Sequence, residues 1–106
     1  MSTKKTTKSD AVRILEKLTG GALTLGRLLQ SIRTGEDVTL AVFAKRLKVS
    51  RQNLCDIEKG RKLVSPERAA RFAHTLGYSE AQFVALALQS LVDQADLNLK
   101  VEVKAA

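Results

Sequence analysis

Apolar residues recur along most of this chain at intervals of three and four, the spacing of helices that bury one face. Ser9 or Asp10 can cap a first helix with Ala11, Ile14, Leu15 and Leu18 on one side, and Thr19-Gly20-Gly21 ends it. A second starts near Thr24 with Leu25, Leu28, Leu29 and Ile32 inward and closes at Gly35. Thr39 caps a third, whose inward stripe is Leu40, Phe43, Ala44 and Leu47. After the short link Lys48-Val49, Ser50 caps a fourth, anchored by Leu54 and Ile57 and stopped at Gly60. Ser65-Pro66-Glu67 joins a capping hydroxyl, a proline at the first helical position and an acid at the positive end of the helix dipole. Ala69, Phe72, Ala73 and Leu76 give that fifth helix its core face, and Gly77 stops it. Ser79 and Gln82 form a capping box for a sixth.

The sixth helix has more apolar surface than one core contact needs. Phe83, Leu86, Ala87 and Ser90 share one face, while Val84, Leu88, Leu91 and Ala95 make a second row. The pattern then changes period. Leu97, Leu99, Val101 and Val103 alternate with polar residues, the signature of a half-buried strand. No other segment reads as its strand partner, and a lone strand leaves its backbone groups unsatisfied. The expectation is pairing with the same strand of a second subunit, with Val84, Leu88 and Leu91 completing the dimer interface. The fold class is therefore all-α, a five-helix domain with an extra N-terminal helix and a C-terminal strand. Its divisions are a flexible basic tail at 1–8, the helical domain at 9–95 and a dimerising strand at 96–106.

Composition sharpens this picture. The 106 residues hold 18 Lys and Arg against 11 Asp and Glu, one Pro and no Trp, so the core is expected to rest on Leu, Val, Ile and Ala. One cysteine, Cys55, excludes an internal disulfide framework and a multi-cysteine zinc site. The longest uncharged apolar run, Ala81–Val92, falls short of the roughly 20 residues of a membrane span, and the polar start lacks a signal core, which together point to the cytoplasm. Positive charge is concentrated. Lys45, Arg46, Lys48, Arg51, Lys59, Arg61 and Lys62 face only Asp56 and Glu58 within 45–62, whereas the acids prevail over 79–106. Such a segment suits a polyanion.

Two short helices joined by so tight a link must cross steeply, the geometry of a helix-turn-helix. With Leu54 and Ile57 inward, Arg51, Gln52, Asn53, Asp56 and Lys59 point outward from a helix able to enter a major groove. The residues Leu25-Gly26-x2-Leu29-x3-Arg33, Phe43-Ala44-x2-Leu47-x-Val49-Ser50-Arg51, Leu54-x2-Ile57-Glu58-x-Gly60 and Leu76-Gly77 carry a resemblance over residues 25–88. The chain resembles the helix-turn-helix domain of phage repressors and Cro proteins, the XRE family. The resemblance implies a two-fold dimer on an operator in double-stranded DNA, with Arg51, Gln52 and Asp56 reading bases and Asn53 assisting. It also implies phosphate contacts from Lys59, Arg61 and Lys62, and an ion pair between Arg33 and Glu58. Thr39, Lys48 and Ser50 lie where helix-start amides, a cation and a hydroxyl can add to the phosphate contacts. Two positions depart from the family: Leu40 stands where it often has glutamine, and Lys48 where its turn usually has glycine.

The reading is a sequence-specific regulator, a repressor acting as a homodimer on a near-palindromic site. The chain is also similar to antitoxins of the HipB and HigA kind, which implies autorepression and a toxin protein as partner. A third reading is an interaction module that does not bind DNA, motivated by Leu40 and the negative charge of Asp56. His74 has no companion ligands, Cys55 reads as a small filler, and no catalytic constellation, cofactor motif or metal set can be assembled.

Overall fold

A computed structural model describes residues 23–106; the basic tail at 1–8 and the helix expected at 10–18 lie outside the described residues. Five helices follow in order: α1 (Leu25–Gly35), α2 (Leu40–Leu47), α3 (Arg51–Glu58), α4 (Pro66–Leu76) and α5 (Glu80–Gln94). Each begins in the same way. Thr24, Thr39, Ser50, Ser65 and Ser79 sit in extended backbone, and each side-chain oxygen accepts from the amide three residues on, satisfying one orphan donor of the first turn.

The helices also stop alike. Asp37, Lys48, Gly60, Gly77 and Asp96 take left-handed backbone. In every case the next amide reaches back five residues: Val38 to Arg33, Val49 to Ala44, Arg61 to Asp56, Tyr78 to Ala73 and Leu97 to Val92, at 2.8–3.3 Å. Three of these five reversals use a side chain where glycine is cheaper. The turns after α2 and α4 are short enough that α3 packs on α2 and α5 on α4.

The most extensive contact is between α4 and α5, while α1 and α2 both pack on α3. Leu28, Leu29, Leu54 and Ile57 are fully buried, but so are Phe43, Phe72 and Phe83, which come from α2, α4 and α5. The core rests mainly on Leu, Ile, Val and Ala, as expected, and all three phenylalanines of the chain lie within it, on the inward faces the spacing assigned to them. Being few, they are placed where one side chain fills most space, each contributing about 2–3 kcal/mol by burial.

On α5, Phe83 and Ala87 are buried, whereas Val84, Leu86 and Leu88 are half-buried and Leu91 is 43% exposed. The strand expected over Leu97–Val103 is not formed; among the described residues there is no strand. One subunit offers this segment no neighbour with which to build a ladder. Its contacts are instead with a side chain of α5: Gln89 donates to the Leu99 carbonyl at 2.8 Å and accepts from the Val101 amide at 2.7 Å. Among the described residues, no helix is long and apolar enough to cross a membrane.

Candidate nucleic-acid interface

The link between α2 and α3 consists of Lys48, Val49 and Ser50. The left-handed Lys48 (φ 59°, ψ 42°) reverses the chain, half-buried Val49 packs against the core, and Ser50 caps α3 through a bond from the Asn53 amide at 3.0 Å. Ala44 is buried beneath this link, and the Val49 amide bonds to its carbonyl at 3.0 Å. The Ser50 and Thr39 oxygens are thus committed as acceptors to helix amides, and each hydroxyl proton remains available to donate to a phosphate.

Two features of α1 fix how α3 is presented. Gly26 lies so close to the end of α3 that an added Cβ would overlap the Ile57 carbonyl oxygen. One residue further on, Glu58 is engaged by Arg33. The guanidinium grips both carboxylate oxygens, Nε to Oε2 at 2.8 Å and Nη2 to Oε1 at 3.1 Å, and Nη1 donates to the Val38 carbonyl at 3.2 Å. The Glu58 side chain is only 4% exposed. The same bonds hold the Arg33 guanidinium above its ordinary range, through the hydrogen bond to Glu58 first, so it stays charged at every accessible pH. One fork therefore ties together α1, the loop before α2 and the end of α3.

On the outer face, Arg51 and Gln52 are exposed at the first two positions of α3. Asp56, one turn on, is less available than its position in the sequence suggests. Its Oδ1 accepts from Gln52 Nε2 at 3.1 Å, and Arg61 closes on the same oxygen with Nη2 at 3.0 Å and Nε at 3.1 Å. Oδ2 carries no bond among the described residues, and Gln52 keeps its carbonyl oxygen and one amide hydrogen for a ligand. Asn53 is half-buried, with Oδ1 shielded from solvent and unpartnered.

The basic segment divides into engaged and unengaged cations. Arg46 pairs with Glu36 at 2.9 Å and lies over the Phe43 ring, and Arg61 pairs with Asp56. Lys45, Lys48, Arg51, Lys59 and Lys62 are exposed and carry no ion pair among the described residues. Arg51, Gln52 and these exposed lysines lie on or beside α2, the link and α3, and make that stretch of surface positive. Residues 24–86 match the family of helix-turn-helix domains.

The chain belongs to that family. No curated protein and no solved structure matches it. As a helix-turn-helix domain of the repressor and Cro kind, it is a DNA-binding regulator, in which α2, the link at 48–50 and α3 form the two short helices and tight turn. The matched span runs from the cap of α1 into α5 and stops short of the exposed apolar tail. Among the described residues no group of His, Cys, Asp and Glu could hold a metal ion. Exposed His74 bonds Glu80 at 2.8 Å, linking α4 to α5. The role of Gly26 and the Gln52–Asp56–Arg61 chain are absent from the sequence reading. The glycine in Leu25-Gly26 was a visible signal for the first. For the second none existed, since Arg61 meets Asp56 only through the path of the chain around Gly60.

Proposed function

We propose that the protein is a sequence-specific transcriptional repressor that binds a near-palindromic operator as a homodimer, with α3 of each subunit in the major groove. The observation that carries this reading is the exposed pair Arg51 and Gln52 at the start of α3, ringed by unpaired cations and held by the Arg33–Glu58 fork. Arg51 has the donors to take guanine O6 and N7. Gln52, already donating one amide hydrogen to Asp56, keeps the donor and acceptor that match adenine N7 and N6. Asp56 holds that amide in place and offers Oδ2 to a cytosine amino group. Lys48, Lys59 and Lys62 contact phosphates, with Thr39 and Ser50 adding hydroxyl donors, and Arg61 does so from its seat on Asp56.

Helix-turn-helix dimers place their reading helices about 34 Å apart, one turn of DNA. Here the second subunit is met by Leu97, Leu99, Val101 and Val103 of the tail together with Val84, Leu88 and Leu91 of α5. Selection of bound fragments from a random DNA pool tests the reading. The expected outcome is an inverted repeat with half-sites one helical turn apart, containing a G and an adjacent A. Recovery of no consensus at low salt overturns it.

A further inference from the structure

The segment that follows α5 has one edge taken and one edge open. After the left-handed Asp96, the bond from Leu97 to Val92 turns the chain away from the helix axis. Gln89 then supplies both halves of a strand rung, donating to the Leu99 carbonyl and accepting from the Val101 amide, while the same Nε2 also donates to Asp93 at 2.8 Å. In extended chain these two backbone groups leave on one edge, and those of Asn98, Lys100 and Glu102 leave on the other. The second edge carries no hydrogen bond among the described residues. Beside it, Leu97 and Leu99 are 51% and 62% exposed.

We infer that this open edge pairs with the same edge of a second copy, antiparallel, with Val101 on the two-fold axis. The inference rests on the dimeric reading above and adds to it the edge and the register. Charge selects the register. With Val101 on the axis, Lys100 stands opposite the partner's Glu102 and Glu102 opposite the partner's Lys100, while Leu99 meets the partner's Val103. Centring on Lys100 would oppose two lysines, and centring on Glu102 would oppose two glutamates and, beside them, Lys100 with Lys104. Centring on Val103 would oppose unlike charges again, but would move the axis away from the stretch that Gln89 already holds. Two backbone groups fixed before the partner arrives reduce the ordering cost of association.

Full-length single-cysteine variants test this, each in a Cys55→Ser background: Lys100→Cys, Val101→Cys, Glu102→Cys and Val103→Cys. Under mild oxidation Val101→Cys is expected to form the covalent dimer in preference to the other three. Preferential cross-linking at 100, 102 or 103 overturns the register. A dimer by light scattering with no cross-link at any position overturns strand pairing and leaves the dimeric reading standing, whereas a monomer at all concentrations overturns both. Charge exchange provides an independent readout. Lys100→Glu should weaken the dimer about tenfold or more, and adding Glu102→Lys should restore it. Equal weakening by the single and double variants contradicts the pairing.

Discussion

Lys48 occupies backbone that costs an ordinary side chain about 1 kcal/mol relative to glycine, yet it lies at the link between α2 and α3 and carries an unpaired cation. Lys48→Gly should therefore raise the urea midpoint, by about 0.5–1 kcal/mol in stability, and weaken DNA binding at the same time. The salt slope of binding should become shallower by roughly one phosphate's worth, about 0.9 in log–log units. A variant that is both more stable and undiminished in affinity would remove Lys48 from the interface. Asp56 presents a second residue-scale test. Because it holds both Gln52 and Arg61, Asp56→Ala should relax base preference at the Gln52 position as well as its own, in the same selection experiment. Loss confined to one base pair would contradict the positioning role.

At the scale of elements, α3 is set by two adjacent residues at its end, Ile57 against Gly26 and Glu58 against Arg33. Gly26→Ala drives a methyl group into a backbone carbonyl that no rotamer change can move aside, and should cost on the order of 3 kcal/mol in thermal or urea unfolding. Glu58→Gln leaves a guanidinium without its carboxylate and should cost about 3 kcal/mol, with Arg33→Lys failing to preserve the fork geometry. A change below about 0.5 kcal/mol in either case would show that α1 does not brace α3.

The helices themselves were legible because capping hydroxyls precede each apolar row, from Thr24 to Ser79, and because Gly60 and Gly77 mark two of the stops. Asp37 and Asp96 gave weaker stop signals, since aspartate enters left-handed backbone only when the surrounding bonds favour it. Arg51 and Gln52 could be placed outward from periodicity alone. The engagement of Asp56 and the shielding of the Asn53 oxygen could not, because both depend on neighbours brought in by the tertiary path. The alternation at 97–103 predicted a strand that is not formed, because a strand exists only with a neighbour, and within one subunit the backbone of the segment meets the Gln89 side chain.

For the whole molecule, the proposed function divides the work between charge and symmetry: the unpaired cations around α3 would supply affinity for any duplex, and the tail would set the spacing between two reading helices. Removing residues 97–106 should leave the thermal midpoint of the domain nearly unchanged at concentrations where the full chain is monomeric, since Leu97 and Leu99 lie outside the core, and lower it where the full chain dimerises. It should weaken binding to an operator with two half-sites while leaving binding to an isolated half-site as it was. Equal affinity of the full and truncated chains for the two-half-site operator would place the dimer contact elsewhere.

Base reading by α3 is tested most directly by comparing Arg51→Ala with the unaltered protein. Fluorescence anisotropy at one fixed salt concentration should be run on the selected operator and on random duplex of the same length. The expected result is a loss of about 1–3 kcal/mol on the operator with little change on random DNA, and tolerance of any base at the position Arg51 contacts. An equal loss on both duplexes would mean that Arg51 serves only as a cation and that α3 does not read sequence.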